Sequence, residues 1–185
     1  MSKARTGLIA AALVIGAAVA AITAASGTAT ADDGRTRNFL RVNLSGYNEA
    51  PNALSVSSSG SFVAIIDSRT NTITYTLTYS ALTGDVVQAH IHFGAKGQSG
   101  ANVSAFLCGN GVGPAGTQPC PPGPATVTGT ITSAEVIGPN ALGIAPGEIA
   151  ELIAAIRNGT AYVNVHSTSF PGGEIRAQLE HDDHD

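Results

Sequence analysis

Apolar and polar residues alternate at a period of two through most of the chain. The pattern is clearest where Ile73, Tyr75, Leu77 and Tyr79 are interleaved with Thr72, Thr74, Thr76 and Thr78. Successive side chains of a strand point to opposite faces, so this run predicts an antiparallel strand with one buried face and one that tolerates solvent. Leu40, Val42 and Leu44 set against Phe39, Arg41 and Asn43 predict a first strand that stops at Gly46. Residues 62–67 form a short apolar run, read as a strand that is buried or nearly so, and 67–71 read as the hairpin connection that follows. Further strands are expected at 88–93, 102–107, 125–131, 161–166 and 174–179. Turns rich in Gly, Pro, Asn and Ser separate them, among them 47–51, 55–60 and 94–100.

One segment has a different period. After Pro146, residues Ile149, Leu152, Ile153 and Ile156 fall at i, i+3, i+4 and i+7, the apolar stripe of a helix over about 146–158. Glu148 and Glu151 near its start, Arg157 near its end and Gly159 beyond agree with the helix dipole and a glycine stop. Eight short strands and one helix, with no α/β alternation, predict an all-β fold: an antiparallel β-sandwich with Greek-key-like connections.

The ends and the charge narrow the setting. Lys3 and Arg5, the apolar run 8–25 and the small residues Ala29, Thr30 and Ala31 read as a secretory signal peptide over 1–31, with an uncleaved anchor as the competing reading. Cleavage predicts an exported chain beginning at Asp32, checked by N-terminal sequencing; a chain still starting near Met1 would leave the anchor. Residues 32–37 then form a polar leader, 38–179 one domain, and 180–185 an acidic, histidine-bearing tail. Without Lys3 and Arg5, seven basic side chains face thirteen acidic ones, a formal charge of −6. With no basic cluster, the electrostatic footprint of nucleic-acid binding is missing. Cys108 and Cys120 are the only cysteines, and in an oxidising exterior they are expected to pair across a Gly- and Pro-rich loop.

Candidate chemistry gathers on histidine. His90 and His92 share one face of the 88–93 strand, and His166 lies on the outward face of 161–166 together with Tyr162 and Asn164. If those two strands are neighbours, three imidazoles converge on a site able to hold copper or zinc, with mutual repulsion keeping them neutral. The alternative is three half-exposed sheet residues bonded to Asn164, Glu174 or backbone. Glu49 is either a fourth ligand or a turn-stabilising carboxylate. Glu174 and Arg176 share a face of the last strand, as a structural pair, as bonds to a loop, or as a substrate contact. No Ser-His-Asp spacing, phosphate loop or helical His-Glu-x-x-His motif occurs.

Three stretches carry a family resemblance: 44–51 (LSGYNEAP), 89–94 (AHIHFG) and 162–176 (YVNVHSTSFPGGEIR). Together they resemble the chordin-type domain, CHRD, over nearly all of 38–179, with Asn52 standing where the family often has a second proline. The resemblance implies a secreted module with a binding or structural role toward a protein or surface ligand, and no settled activity. The His-x-His before Phe93 and Gly94, with a later strand histidine and arginine, is also distantly similar to the copper half of the copper–zinc superoxide dismutases. That likeness implies His90, His92 and His166 as copper ligands, Arg176 as the guide for an anionic substrate, and copper-dependent redox catalysis as the alternative function. No further histidines stand where a bridging ligand and zinc loop belong, so a complete dinuclear site is excluded.

Overall fold

A computed structural model describes residues 37–100 and 102–180; the segments read as signal peptide, leader and tail lie outside the described residues, apart from Arg37 and Glu180 at their edges. The strands are β1 (Arg37–Ser45), β2 (Ser59–Asp67), β3 (Thr72–Ser80), β4 (Val86–Phe93), β5 (Val103–Gly109), β6 (Ala125–Ile131), β7 (Ala161–Ser167) and β8 (Ile175–Gln178), with one helix, α1 (Ile149–Arg157). All-β with eight antiparallel strands and one short helix is therefore the fold, as the alternation predicts.

The two faces of the expected sandwich are halves of one continuous sheet, ordered β5-β4-β7-β8-β1-β2-β3-β6 and rolled into a nearly closed barrel. The halves join at a narrow seam, where Ser45 of β1 pairs with Arg176 of β8. On the opposite side β5 and β6 are pinned by side chains. Gln118 Nε2 donates to the Leu107 carbonyl at 2.9 Å and to the Thr128 carbonyl at 3.1 Å, and Tyr75 Oη donates to Leu107 O at 2.9 Å. These bonds satisfy edge groups that would otherwise stay open to pairing with another chain.

The interior is filled by the apolar half of each alternation, including Leu40, Phe62, Ile73, Leu77, Ile91, Val163 and Ile175, all buried. Two readings of the sequence change. β2 starts at Ser59, so Gly60 and the last serine of the run belong to a strand rather than a loop, with Gly60 paired to Leu44 on one side and Tyr79 on the other. A Cβ on Gly60 would stand 2.5 Å from the Thr78 carbonyl, which is why glycine fits there. β2 is also buried on one face only, rather than buried or nearly so throughout: Phe62, Ala64 and Ile66 face inward while Ile65 is 44% exposed.

Helix α1 buries Ile149, Leu152, Ile153 and Ile156 and packs against β7. Its end is a Schellman arrangement, with Gly159 N–H on the Ile156 carbonyl and Thr160 N–H on the Ala155 carbonyl. Gly159 has φ +63°, the left-handed conformation this cap needs. The helix thus turns directly into β7.

Cys108 and Cys120 form a disulfide. Asn110 braces the loop they close, donating to the Val86 and Cys120 carbonyls and accepting from Cys120 N–H. Removing the bond with a Cys108→Ala/Cys120→Ala double variant is expected to cost about 3 kcal/mol through restored loop entropy, read as a lower urea midpoint. An unchanged midpoint would show that Asn110 alone holds the loop.

Candidate metal centre

β4 and β7 are neighbours, which settles the geometric condition left by the sequence. His90 is paired with Asn164, His92 with Tyr162 and Gln88 with His166, so His166 lies diagonal to His90 on the same face. The ring centroids are 4.7 Å apart for His90–His92, 4.6 Å for His90–His166 and 6.1 Å for His92–His166. On the other side of β4, the register with β5 slips on both sides of the His90–Ile91 pair. Such bulges re-aim side chains, and here they place Phe106 edge-on to His90 at 4.8 Å.

The outward face of these strands is not open to solvent. His90, His92 and His166 are 2%, 4% and 5% exposed. The segments around Glu49–Leu54 and Ser169–Gly173 fold over the sheet and leave a cleft of about 670 Å³ above the imidazoles. The half-exposed alternative is therefore replaced by a buried cluster under a loop-lined cleft. Alternation shows which side of a strand a residue takes, and only the loops decide whether that side is wet.

Hydrogen bonding orients the rings. His166 Nδ1 lies 2.9 Å from the Pro171 carbonyl, which can only accept, so Nδ1 carries the proton and Nε2 keeps its lone pair. That Nε2 is buried with no hydrogen-bond partner. A backbone carbonyl fixing one ring nitrogen while the other faces a cavity is the usual support of a metal-ligating histidine. His90 Nδ1 and His92 Nε2 stand 2.8 Å apart, one donating to the other.

Burial holds all three rings neutral. Burial first, then the His166 and His92 charges, push His90 down to about 2. Burial, His166 and then Arg176 push His92 down to about 4. Burial also lowers His166, against the opposing pull of the Pro171 carbonyl. One ligand nitrogen from each ring lies within 4.8 Å of the others. Two nitrogens on one tetrahedral zinc or copper, at about 2.1 Å each, stand about 3.4 Å apart, so side-chain movements on the order of 1–1.5 Å bring the widest pair into range. The residues fit such an ion.

The other candidates divide. Asn164 sits beside His90 in the cleft wall, buried, with its Oδ1 unpartnered. Glu49 is buried in the same wall; burial raises its carboxyl to about 7 against the Arg176 charge and hydrogen bonding by Asn164. It lies outside the cluster of converging ligand atoms, which holds the three histidines alone among the described residues. Its neighbour is Gly173 (φ +129°), where a Cβ would stand 2.5 Å from Asn164 Nδ2 and 2.9 Å from Glu49 Oε1. Glu174 serves the scaffold: its Oε1 accepts from Ser58 Oγ at 2.5 Å and Thr83 N–H at 2.6 Å. Burial pushes its carboxyl up, yet bonds from Ser167, Ser58 and Thr83 outweigh that and leave it below the ordinary value.

Arg176 is buried under Tyr162, its guanidinium carbon 3.5 Å from the ring centroid. Its Nη1 donates to the Gln98 carbonyl at 2.5 Å and its Nη2 to Gln178 Oε1 at 3.3 Å. Tyr162 in turn stacks on His92 with parallel rings at 4.6 Å. Tyr162 was on the histidine side of the β7 alternation and could have been singled out from sequence; Phe106, Phe170 and Pro171 gave no such signal, because a bulge and a loop place them.

A family model for the CHRD domain matches residues 40–179. No curated protein and no solved structure matches the chain.

Proposed function

The chain belongs to the CHRD family, and from that premise we propose that it is an exported β-module that binds one copper or zinc ion through His90, His92 and His166. The observation that carries this reading is the His166 ring, with Nδ1 tied to the Pro171 carbonyl, Nε2 buried and bare, and its centroid 4.6 Å from that of His90. Three neutral imidazoles suit either metal, and they leave a position open toward the cleft. The Cys108–Cys120 bridge supports an extracytoplasmic setting, and no described helix is long and apolar enough to cross a membrane. The role is binding or structural. The redox alternative uses the same triad but needs Arg176 to guide an anion, and that guanidinium is taken up by Tyr162 and the Gln98 carbonyl.

The test is metal content and affinity of protein purified without an affinity tag. One ion per chain is expected after dialysis against zinc or copper, and it should persist when the tail 181–185 is deleted. His92→Ala and His166→Ala are each expected to weaken binding at least about 100-fold. A stoichiometric ion that survives His92→Ala refutes the triad.

A further inference from the structure

The triad does not account for every unsatisfied group in the cleft. Glu49 Oε1 and Asn164 Oδ1 are buried without a hydrogen-bond partner, on residues 8% and 4% exposed. Both lie close to the point where Gly173 has no Cβ, at 2.9 Å and 2.7 Å. Buried acceptors left bare cost about 1–3 kcal/mol each, so this cradle favours a molecule that brings O–H or N–H donors. A carboxylate or phosphate would instead set lone pairs against lone pairs beside an acidic residue.

Apolar side chains form much of the remaining wall, with Asn52, Gln88, Ser99 and Ser169 at other points of it. Leu54, Val103, Phe106, Phe170 and Pro171 surround the polar floor, and about 670 Å³ is the size of a small-molecule site. Two flat aromatic side chains among them suit a flat ring. The ion's open position asks for an oxygen donor, and a cation there disfavours an ammonium ligand.

We propose, on the reading that the triad holds an ion, that the cleft binds a small aromatic molecule with adjacent hydroxyl groups. One oxygen faces the ion, the neighbouring hydroxyl donates its one proton to Glu49 Oε1 beside Asn164, and the ring lies among Phe106, Phe170 and Leu54. Binding involves no electron transfer, and zinc, which has no redox chemistry, is the ion for the test.

Catechol, phenol and benzoate are titrated calorimetrically into the zinc-loaded full chain, with metal content measured before and after. Catechol is expected to bind at least tenfold more tightly than benzoate and more tightly than phenol. Glu49→Leu is expected to weaken catechol at least tenfold while zinc stays at one per chain. Gly173→Ala, which fills the cradle, should do the same; if it does not fold, Glu49→Leu and Asn164→Leu carry the comparison. Benzoate binding as well as catechol, or catechol binding unchanged in Glu49→Leu, overturns the proposal. If no zinc is retained, the triad reading fails separately. Catechol is then titrated into the metal-free protein, where loss in Glu49→Leu supports the donor cradle and indifference overturns it.

Discussion

Zinc at a free concentration 1,000-fold above its dissociation constant is expected to raise the unfolding free energy of this protein by about 4 kcal/mol. The ion binds three imidazoles that only the folded chain brings together. Their convergence requires β4 beside β7, two segments far apart in sequence. In the metal-free state the cluster carries a cost: His166 Nε2 and His92 Nδ1 are buried without partners. An ion relieves that cost at the ligating nitrogens and exchanges mutual repulsion for coordination. Urea unfolding with and without zinc measures the effect as a shift in midpoint. His166→Ala should lose nearly all of it, because two histidines on one strand remain a weak pair. A zinc shift of the same size in His166→Ala would place the ion elsewhere, and loss of the shift on deleting 181–185 would place it in the tail.

The parts of the fold that follow from local periodicity were legible. The threonine-laced β3 has the expected inward set, and α1 has its expected stripe and glycine stop. Gly60 was misread because a glycine in a serine run looks like a loop, whereas its place in β2 is fixed by the approach of the Thr78 carbonyl from another strand. The candidate site divides along the same line. That His90 and His92 share a face, and that Tyr162, Asn164 and His166 share another, follows from a period of two. Their union depends on strand order, which no local pattern encodes. Alternation alone puts the histidine face outward. Burial there comes from two loops, 49–54 and 169–173, that lie over the sheet. Gly173 could be read only as a turn residue; its reason is the Asn164 and Glu49 side chains pressed against it.

Acid is expected to unfold the metal-free protein well before its surface carboxylates are exhausted. His90 and His92 are held down to about 2 and about 4, so between pH 6 and pH 4 the unfolded chain binds protons that the folded chain refuses. Depressed histidines contribute full stability above their ordinary value near 6.5 and lose it as pH falls. Glu49 has the opposite sign. With its carboxyl raised to about 7, the folded state keeps a proton the unfolded state gives up, so its contribution is present at low pH and lost as pH rises from about 4.5 through about 7. Two histidines against one carboxyl leave a net uptake of about one proton on unfolding, roughly 1.4 kcal/mol per pH unit. His166, also lowered, adds to the loss. Stability should therefore fall by about 3 kcal/mol from pH 6 to pH 4, measured as urea midpoints in metal-free buffer. Glu49→Gln removes the opposing group and should make the fall steeper, approaching about 2.7 kcal/mol per unit, while His90→Gln should make it shallower. A profile that is flat over this range, or that is unaltered in both variants, would mean the imidazoles charge freely in the folded state, which their burial beneath the loops forbids.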